Sequence, residues 1–189
     1  MPASIVSPVP ANSIKTVCDI LDDVEVLVSR RRLDRSSLVL VGLSIGNFPA
    51  TVLANLWNAR LCSVCSADRA AHMIWESPAA AAVRAEAEAT GYRRSDFEWA
   101  FRGYDTIDNL AGIDAASAFY ISENDPFVPS ARTAKLVEAV KVIHPQMHVH
   151  SSPKGHLRAM VASRALQLSM VSGSRKTGWP VRITEQAEA

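Results

Sequence analysis

Cysteine is scarce in this 189-residue chain: there are three, an odd number without the spacing of a disulfide framework. Long apolar runs are missing too, since none approaches the about 18 residues that a membrane-spanning helix needs. Neither sign of charge dominates, because 20 basic and 19 acidic side chains leave a net charge of +1. We therefore expect no membrane segment and, without a basic face for phosphates, no nucleic acid partner.

The start of the chain, Met-Pro-Ala-Ser-Ile-Val-Ser-Pro, has neither the basic segment nor the apolar core of a secretion signal. Together with the odd cysteine count, this favours a reducing compartment, and we expect a cytoplasmic protein. The content of 48% hydrophobic and 21% charged residues is typical of a globular domain. We expect one domain over residues 1–171, followed by a loose polar tail over 172–189.

Apolar stretches of the strand type alternate with helical stripes along the chain. The predicted strands cover 36–41, 61–66, 116–122 and 147–151, with a further short one at 3–7, and the predicted helices cover 14–28, 50–57, 130–143 and 157–171. The strand at 36–41 is continuously apolar, which is typical of a strand buried on both faces. The alternation predicts an α/β fold, a mostly parallel sheet with helices on both faces.

Residues 68–112 differ in character and are predicted to form a small helical cap inserted between two strands. An alanine-rich helix is expected over 78–90, ended by Gly91. A second helix is expected to begin at Ser95, where Ser95 and Glu98 have the spacing of a capping box. In a parallel sheet, functional side chains gather at the carboxyl ends of the strands, and three segments of this chain fall there.

The first segment is Gly42-Leu43-Ser44-Ile45-Gly46, between a strand and a helix. A serine on such a turn has a strained backbone, and its hydroxyl projects above the sheet. Gly42 and Gly46 are expected to be small because strand and helix approach each other closely there. The amide of Ile45 could donate to an oxyanion. A tight turn with an incidental serine is the alternative.

The second segment follows the strand at 116–122 and contains Asp125, with Glu123 in reserve. Asp125 is the better candidate acid because Pro126 fixes the chain beyond it, although an Asx turn that ends the strand explains the same residues. The third segment places His156 between the last strand and the last helix, and Gly155 lets that loop bend towards the serine. The order Ser44, Asp125, His156 is the order used by one well-known hydrolase fold.

The stretch from about residue 3 to 171 resembles the second half of the α/β-hydrolase fold family. The similar segments are Leu-Val-Gly-Leu-Ser-Ile-Gly at 40–46, Asn-Asp-Pro-Phe-Val-Pro at 124–129, Gly-His at 155–156 and Tyr-Asp-Thr-Ile-Asp-Asn-Leu at 104–110. The resemblance implies a catalytic triad in which His156 takes the Ser44 proton and Asp125 holds the imidazole tautomer. An acyl-enzyme would then form and be hydrolysed.

The chain departs from the family in its first strands, which we expect to be missing, as in a truncated α/β-hydrolase fold. In the family an earlier strand precedes this region, and the loop after it supplies a second oxyanion amide. Losing one such donor costs on the order of 3 kcal/mol of transition-state stabilisation. Three explanations are open: the sequence is a truncated product, a homo-oligomer or a partner chain covers the open sheet edge, or catalysis is weak or lost.

Three further groups of side chains bear on function: a cysteine pair, four histidines and a set of apolar residues. Cys62 and Cys65 form a C-x-x-C pair, but on a strand they would point to opposite faces, so buried thiols and no metal site are expected. A metal cluster of His144, His148, His150 and His156 is not expected, because no carboxylate or cysteine lies at a suitable spacing. The side chains that could line an acyl pocket are Leu43, Met73, Trp75 and Trp99, although the cap aromatics also fit plain packing.

The sequence thus predicts an esterase or thioesterase that acts on a small or medium acyl compound without a metal or organic cofactor. An acyltransferase with the same triad fits equally well, because only the acyl acceptor differs. A non-catalytic interaction module that keeps the triad residues is the alternative from another class. A nucleotide-binding domain is a weak alternative, since Pro49 occupies the position of the third glycine and no phosphate-loop lysine is present.

Overall fold

The computed structural model describes residues 5–173. Four parallel strands form one sheet in the order β1-β2-β3-β4. The strands are β1 (Val39–Leu43), β2 (Arg60–Val64), β3 (Ala118–Ser122) and β4 (His148–Ser152). Each new strand is added on the same side of the previous one, so β1 lies at one edge of this sheet and β4 at the other. All four predicted strands between residues 36 and 151 are confirmed, with ends shifted by at most three residues.

Eight α-helices surround or precede the strands in the described part of the chain. They are α1 (Pro10–Arg30), α2 (Asn47–Trp57), α3 (Ala70–Glu76), α4 (Ala81–Ala89), α5 (Arg94–Ala100), α6 (Ser130–Ile143), α7 (His156–Ala162) and α8 (Arg164–Gly173). Short 3₁₀ turns occupy Arg35–Ser37, Ser44–Gly46, Pro78–Ala80 and Thr106–Asn109. Pro10 at the first position of α1 suits a helix start, because its missing N–H would have no helical partner.

Helices cover both faces of the sheet, as the alternation of elements predicts. Alternate side chains of a strand point to opposite faces, and each face has its own core cluster. Leu61 and Phe119 pack with α2 and α6 on one face. Cys62 and Ala118 pack with α7 and α8 on the other face. The result is an α/β fold of three layers, with the carboxyl ends of all four strands at one rim.

The segment predicted as a helical cap contains α3, α4 and α5, which lie between β2 and β3. Their apolar side chains form a third core cluster with α1 and with Phe48 of α2. This cluster contains no residue of the four strands, so the cap helices pack on one another, on α1 and on α2. Phe48 and Phe101 meet there with ring centroids 6.3 Å apart. The cap is therefore anchored to α2, the helix that follows Ser44.

Several expectations about local structure are wrong. Residues 5–7 of the predicted first strand form no strand, and its other residues lie outside the described range. Strand β1 is not buried on both faces: Val41 and Leu43 are exposed because β1 lies at the sheet edge. Helix α5 begins at Arg94, and its capping contact joins the Arg93 amide to Asp96 Oδ2, so Ser95 is not the cap.

The C-terminal helix differs from the expectation as well. It is divided at Ser163, whose hydroxyl donates to the Met160 carbonyl and competes with the helical pattern. Its second part, α8, continues to Gly173, two residues into the predicted tail, and the rest of that tail lies outside the described residues. Among residues 5–173, no helix combines the length and the apolar composition that crossing a membrane requires.

Candidate functional site

Ser44 stands on a strained turn directly after β1. Its φ of 51° lies in the left-handed region, which is uncommon for a residue with a side chain and is often found at functional sites. A Cβ on Gly42 would lie 2.7 Å from Asn47 Oδ1 and 2.8 Å from Asn47 Cα. Only glycine fits there, because β1 and α2 nearly touch. The geometry is that expected of a nucleophile held above the end of a strand.

The other two glycines near the site have a weaker role than the sequence suggests. Gly46 has open space where a Cβ would stand, so the expectation that it must be small is wrong. Its φ of −66° is also accessible to any residue. At Gly155, a Cβ would make only ordinary contact with the Asn124 carbonyl, at 3.5 Å. The turn therefore depends on Gly42 alone for its close approach.

Asn47 fixes this turn and was not identified from the sequence. It is fully buried at the start of α2, and its Nδ2 donates to the carbonyls of Ser44 and Val64, both at 2.8 Å. The side chain thus ties the Ser44 turn to the end of β2. In the sequence, the only sign of this role is that Asn47 is a polar residue directly after the Gly-x-Ser-x-Gly pattern.

Asp125 lies on the loop after β3, and both of its oxygens are used. Oδ1 accepts hydrogen bonds from the amides of Phe127 at 2.8 Å and Val128 at 3.0 Å. Oδ2 lies 2.6 Å from Nδ1 of His156. The sequence offered an Asx turn and a contact with His156 as alternatives for Asp125. Its one carboxylate makes both sets of contacts. Glu123 is exposed and pairs with the Ser151 hydroxyl instead.

His156 is the first residue of α7 rather than part of the loop before it. Its side chain is 6% exposed and that of Asp125 is 2% exposed, so the pair is almost removed from water. An ionised carboxylate can only accept, so the proton of this bond belongs to Nδ1. The neutral imidazole then presents Nε2 as an acceptor, the form that a general base needs.

Three further contacts hold the loops of this pair together. The Ser122 hydroxyl donates to the Lys154 carbonyl at 2.6 Å, and Asn124 Nδ2 donates to the Pro153 carbonyl at 2.8 Å. The ring of Phe127 meets the imidazole edge-on, with centroids 5.0 Å apart. These contacts fix the Asp125 loop against the His156 loop. They join residues about 30 positions apart, which no local sequence pattern reveals.

Cys65 is a further neighbour of the pair. A ligand atom of Cys65, Asp125 and His156 each lies within 4.8 Å of the other two. Cys65 follows β2 with a φ of 53°, and its Sγ lies 3.7 Å from the His156 carbonyl. Burial, and to a lesser extent the Asp125 carboxylate, raises the pKa of this thiol to about 12. The thiol is therefore protonated at neutral pH and is a poor nucleophile.

Ser44 is the third of the predicted catalytic residues. In the described part of the chain, His156 hydrogen-bonds Asp125 and does not hydrogen-bond Ser44. Catalytic hydrogen bonds are often long in the absence of substrate and tighten when it binds. Ile45, the predicted oxyanion donor, packs its side chain against the cap cluster. The structure thus brings Asp125 and His156 together, and it places Ser44 on the turn after β1.

The residues predicted to line an acyl pocket lie in three different surroundings. Leu43 is partly exposed at the end of β1. Met73 and Trp75 pack against the same cap cluster as Ile45, and the Trp75 ring lies 4.9 Å from that of Phe97. Trp99 is 79% exposed and borders a cavity of about 500 Å³ between α1 and α5. Met73 and Trp75 therefore share a cluster with the serine turn, whereas Trp99 faces α1.

A network of charged side chains joins the cap to α6 and was not predicted. Arg132 of α6 is buried, with Nη1 at 3.4 Å from Asp68 Oδ2 and Nε at 3.0 Å from Glu76 Oε2. Its guanidinium also contacts His72, and burial, Arg94 and Arg132 lower the pKa of that imidazole. Asp68 follows β2, and Arg132 follows the Asp125 loop. The network therefore connects two neighbouring segments at the rim of the sheet.

A second buried acid lies at the base of the cap. Asp105 accepts from the Ala70 amide at 2.8 Å and pairs with Arg69 at 3.0 Å. Burial nevertheless raises the pKa of Asp105 to about 6, with a further contribution from Asp108. The desolvation of this carboxylate outweighs its hydrogen bonds and its ion pair.

The remaining cysteines and histidines have different surroundings. Cys62 and Cys65 are both buried, as expected. Cys65, however, lies beyond the end of β2 and meets Asp125 and His156, which the strand-based reasoning missed. His148 and His150 share one strand face, with ring centroids 6.2 Å apart. His144 instead contacts the Leu110 carbonyl through Nε2 at 2.8 Å.

No protein-family model matches the chain, and no curated protein matches it. Solved structures do match. An acylaminoacyl peptidase of Pyrococcus horikoshii superposes with a TM-score of 0.64 and 14% identity, over 91% of this chain and 30% of the peptidase. A hydrolase from Pseudomonas aeruginosa PA01 superposes with a TM-score of 0.52 and 15% identity, over 85% of this chain and 72% of that hydrolase.

These likenesses bear on the fold and not on the substrate. Identities of 14% and 15% are too low to transfer an activity. The chain also spans only 30% of the peptidase's length. The parallel four-stranded sheet with helices on both faces agrees with this comparison: the chain has the α/β-hydrolase fold.

Proposed function

We propose that the chain is a serine hydrolase that cleaves an ester or thioester of a small or medium acyl compound. The observation that carries this proposal is the buried Asp125–His156 pair, hydrogen-bonded at 2.6 Å, at the same rim of the parallel sheet as the strained Ser44 turn. A buried imidazole with its Nδ1 proton held by a carboxylate is prepared to accept a proton at Nε2. The resemblance to two hydrolase structures supports the same reaction class.

The proposed reaction has two steps. Ser44 Oγ attacks the acyl carbon while its proton moves to His156 Nε2, and the bond to the leaving alcohol or thiol breaks as His156 returns that proton to it. A water molecule then attacks the acyl-enzyme, again through His156, and releases the acid. Asp125 stabilises the imidazolium in both steps. The Ile45 amide, at the start of the turn into α2, donates to the oxyanion.

The cap supports an apolar acyl group as the recognised part of the substrate. Ile45, Met73 and Trp75 are partly buried and pack against one core cluster, so apolar side chains continue from the serine turn into the cap. An acyl chain that replaces water on this surface gains about 0.8 kcal/mol for each buried CH₂ group. The cap would thus set the length of chain that fits.

The experiment is labelling with a fluorophosphonate, which reacts covalently with activated serines. The wild type is compared with Ser44→Ala and with Ser95→Ala, an exposed serine of the cap that serves as the matched control. Labelling of the wild type and of Ser95→Ala, lost in Ser44→Ala, supports the proposal. Folded wild type without labelling favours the non-catalytic interaction module. Acyl transfer to an added alcohol instead of water would identify an acyltransferase.

The open edge of β1 is the second part of the proposal. Among the described strands β1 pairs only with β2, and Val41 and Leu43 are exposed. An unpaired edge strand offers its amides and carbonyls to another chain. A second copy of this chain or another chain is proposed to pair there, beside Ser44, and to supply a further oxyanion donor.

Hydrogen exchange of the amides at 39–43, measured with light scattering over a range of protein concentrations, tests this pairing. Assembly that slows exchange at β1 supports it. A monomer that is fully active at all concentrations contradicts it.

A further inference from the structure

We propose that Cys65, Asp125 and His156 form a site for a zinc ion, and that zinc occupying this site inhibits the enzyme. One ligand atom from each residue lies within 4.8 Å of the other two. The three donors are a sulfur, a carboxylate oxygen and an imidazole nitrogen, which are the ligand types of zinc proteins. The site itself depends only on these side chains, whereas the inhibition rests on the proposed function.

The distances permit coordination with small movements. Tetrahedral zinc holds sulfur at about 2.3 Å and nitrogen or oxygen at about 2.0–2.2 Å, so its ligands lie roughly 3.3–3.7 Å apart. The Asp125–His156 contact of 2.6 Å must therefore widen, and Cys65 must approach. Side-chain shifts of roughly 1 Å achieve both. A water molecule would take the fourth position.

The backbone already directs Cys65 towards this point. Its amide donates to the Tyr120 carbonyl at 2.9 Å, which extends the pairing of β2 with β3 by one residue. Its φ of 53° then turns the chain out of the strand. Sγ contacts the carbonyl of His156, so the thiol reaches the helix that carries the imidazole. The three ligands come from three separate elements held at fixed positions.

Access to the site is through one loop. The three side chains are buried, but Asn124, Pro126 and Phe127 beside them are exposed. These exposed residues belong to the Asp125 loop, so a cation would reach the three ligand atoms from the solvent side of this loop and not through a layer of the core. On binding, zinc replaces the thiol proton, which is released to solvent, and the thiolate, the carboxylate and the ion leave a net charge of zero.

Zinc at this position would disable the base whichever ring nitrogen it takes. At Nε2 it would occupy the lone pair that accepts the Ser44 proton. At Nδ1 it would replace the proton that Asp125 holds there; this proton moves to Nε2, which then has no free lone pair to accept the Ser44 proton. Removal of the zinc by a chelator restores the pair, so the inhibition is reversible.

The test begins with Co²⁺ as a spectroscopic substitute for zinc. The wild-type chain is expected to show a thiolate-to-cobalt charge-transfer band that added zinc removes. Cys65→Ser is expected to lose the band and at least about a hundredfold in zinc affinity. Cys18→Ser, which removes the most accessible of the three thiols, is the matched control and is expected to keep both. A band that persists in Cys65→Ser and vanishes in Cys18→Ser overturns the site.

The inhibition is measured separately, as the ratio of fluorophosphonate labelling with and without zinc for each variant. The ratio is expected to fall about tenfold in the wild type at saturating zinc and to stay near one in Cys65→Ser. If the cobalt band appears and zinc does not change the labelling, the proposed inhibition is wrong, while the proposed metal site is supported. Absence of labelling in all samples contradicts the proposed function, while the cobalt band still decides on the site.

Discussion

Asp125 and His156 are joined by a hydrogen bond of 2.6 Å, while the other oxygen of Asp125 accepts two backbone amides. The same carboxylate therefore shapes the loop after β3 and orients the ring at the start of α7. This double use explains how an acid on an exposed loop is held without rotational freedom. It also allows the two roles to be separated by substitution.

Asp125→Asn is expected to fold normally and to lose most of its reactivity. The amide oxygen of asparagine can still accept from Phe127 and Val128. Its NH₂ group, however, would face Nδ1 and favour the tautomer that carries the proton on Nε2. We expect the rate of fluorophosphonate labelling to fall by about 10⁴.

Glu123→Gln is the control for that substitution, because Glu123 lies on the same loop but contacts Ser151. Its labelling rate is expected to stay within about twofold of the wild type. Equal losses in the two variants would show that charge on the loop matters, rather than the contact with His156.

Gly42→Ala and Gly46→Ala separate the two glycines of the serine turn. The new methyl group at position 42 would meet Asn47 at less than 3 Å, whereas at position 46 it meets nothing. We expect Gly42→Ala to lose about 1–3 kcal/mol of unfolding free energy and its labelling as well. Gly46→Ala should be neutral or gain about 0.4–1 kcal/mol. Urea denaturation of both variants checks this order, and a reversed order would contradict the described packing.

Arg132 provides a test of the buried charge network. Arg132→Leu leaves Asp68 charged and buried without its cation, so a loss of about 3–5 kcal/mol is expected. The double variant with Asp68→Asn should recover much of that loss, since it removes the uncompensated charge. Lys15→Ala breaks an exposed pair with Asp19 and should cost less than about 0.5 kcal/mol. Equal losses for Arg132→Leu alone and for the double variant would argue against a buried pair.

Asp105 makes a pH-dependent contribution of a definite sign. Its folded-state pKa of about 6 lies above its ordinary value of 3.8, so the folded chain holds this proton more tightly than the unfolded chain. Stability therefore falls as pH rises between these two values. The wild type should lose on the order of 1–3 kcal/mol relative to Asp105→Asn over this range. An unfolding free-energy difference that does not change with pH would show that the carboxyl is not perturbed.

The sequence predicted the features that depend on local periodicity and order. The four strands and the helix at 130–143 follow from apolar patterning, and the helical character of the segment between β2 and β3 follows from its alanine-rich stretch. The meeting of Asp125 and His156 was predicted from the position of each residue after a strand. The carboxyl ends of parallel strands lie at one rim of the sheet, so residues that directly follow these strands come close together.

What the sequence could not predict depends on contacts between distant residues. Asn47, Cys65 and Arg132 have no distinguishing local pattern, and each acquires its role from a partner on another element. Cys65 was assigned to a strand face, but the strand ends one residue earlier and a positive φ redirects the side chain. The exposure of Val41 likewise depends on which strand lies at the edge, and periodicity carries no information on strand order.

The central claim is that Ser44, His156 and Asp125 act as one nucleophilic unit, and acylation by an activated ester tests it most directly. The wild-type chain is mixed with p-nitrophenyl acetate, and the burst of nitrophenol and the acetylated peptide are measured. We predict one acetyl group per chain, located on Ser44, and no burst from Ser44→Ala or Asp125→Asn. An undiminished burst from Ser44→Ala, or an acetyl group on Cys65 in its place, would contradict the account.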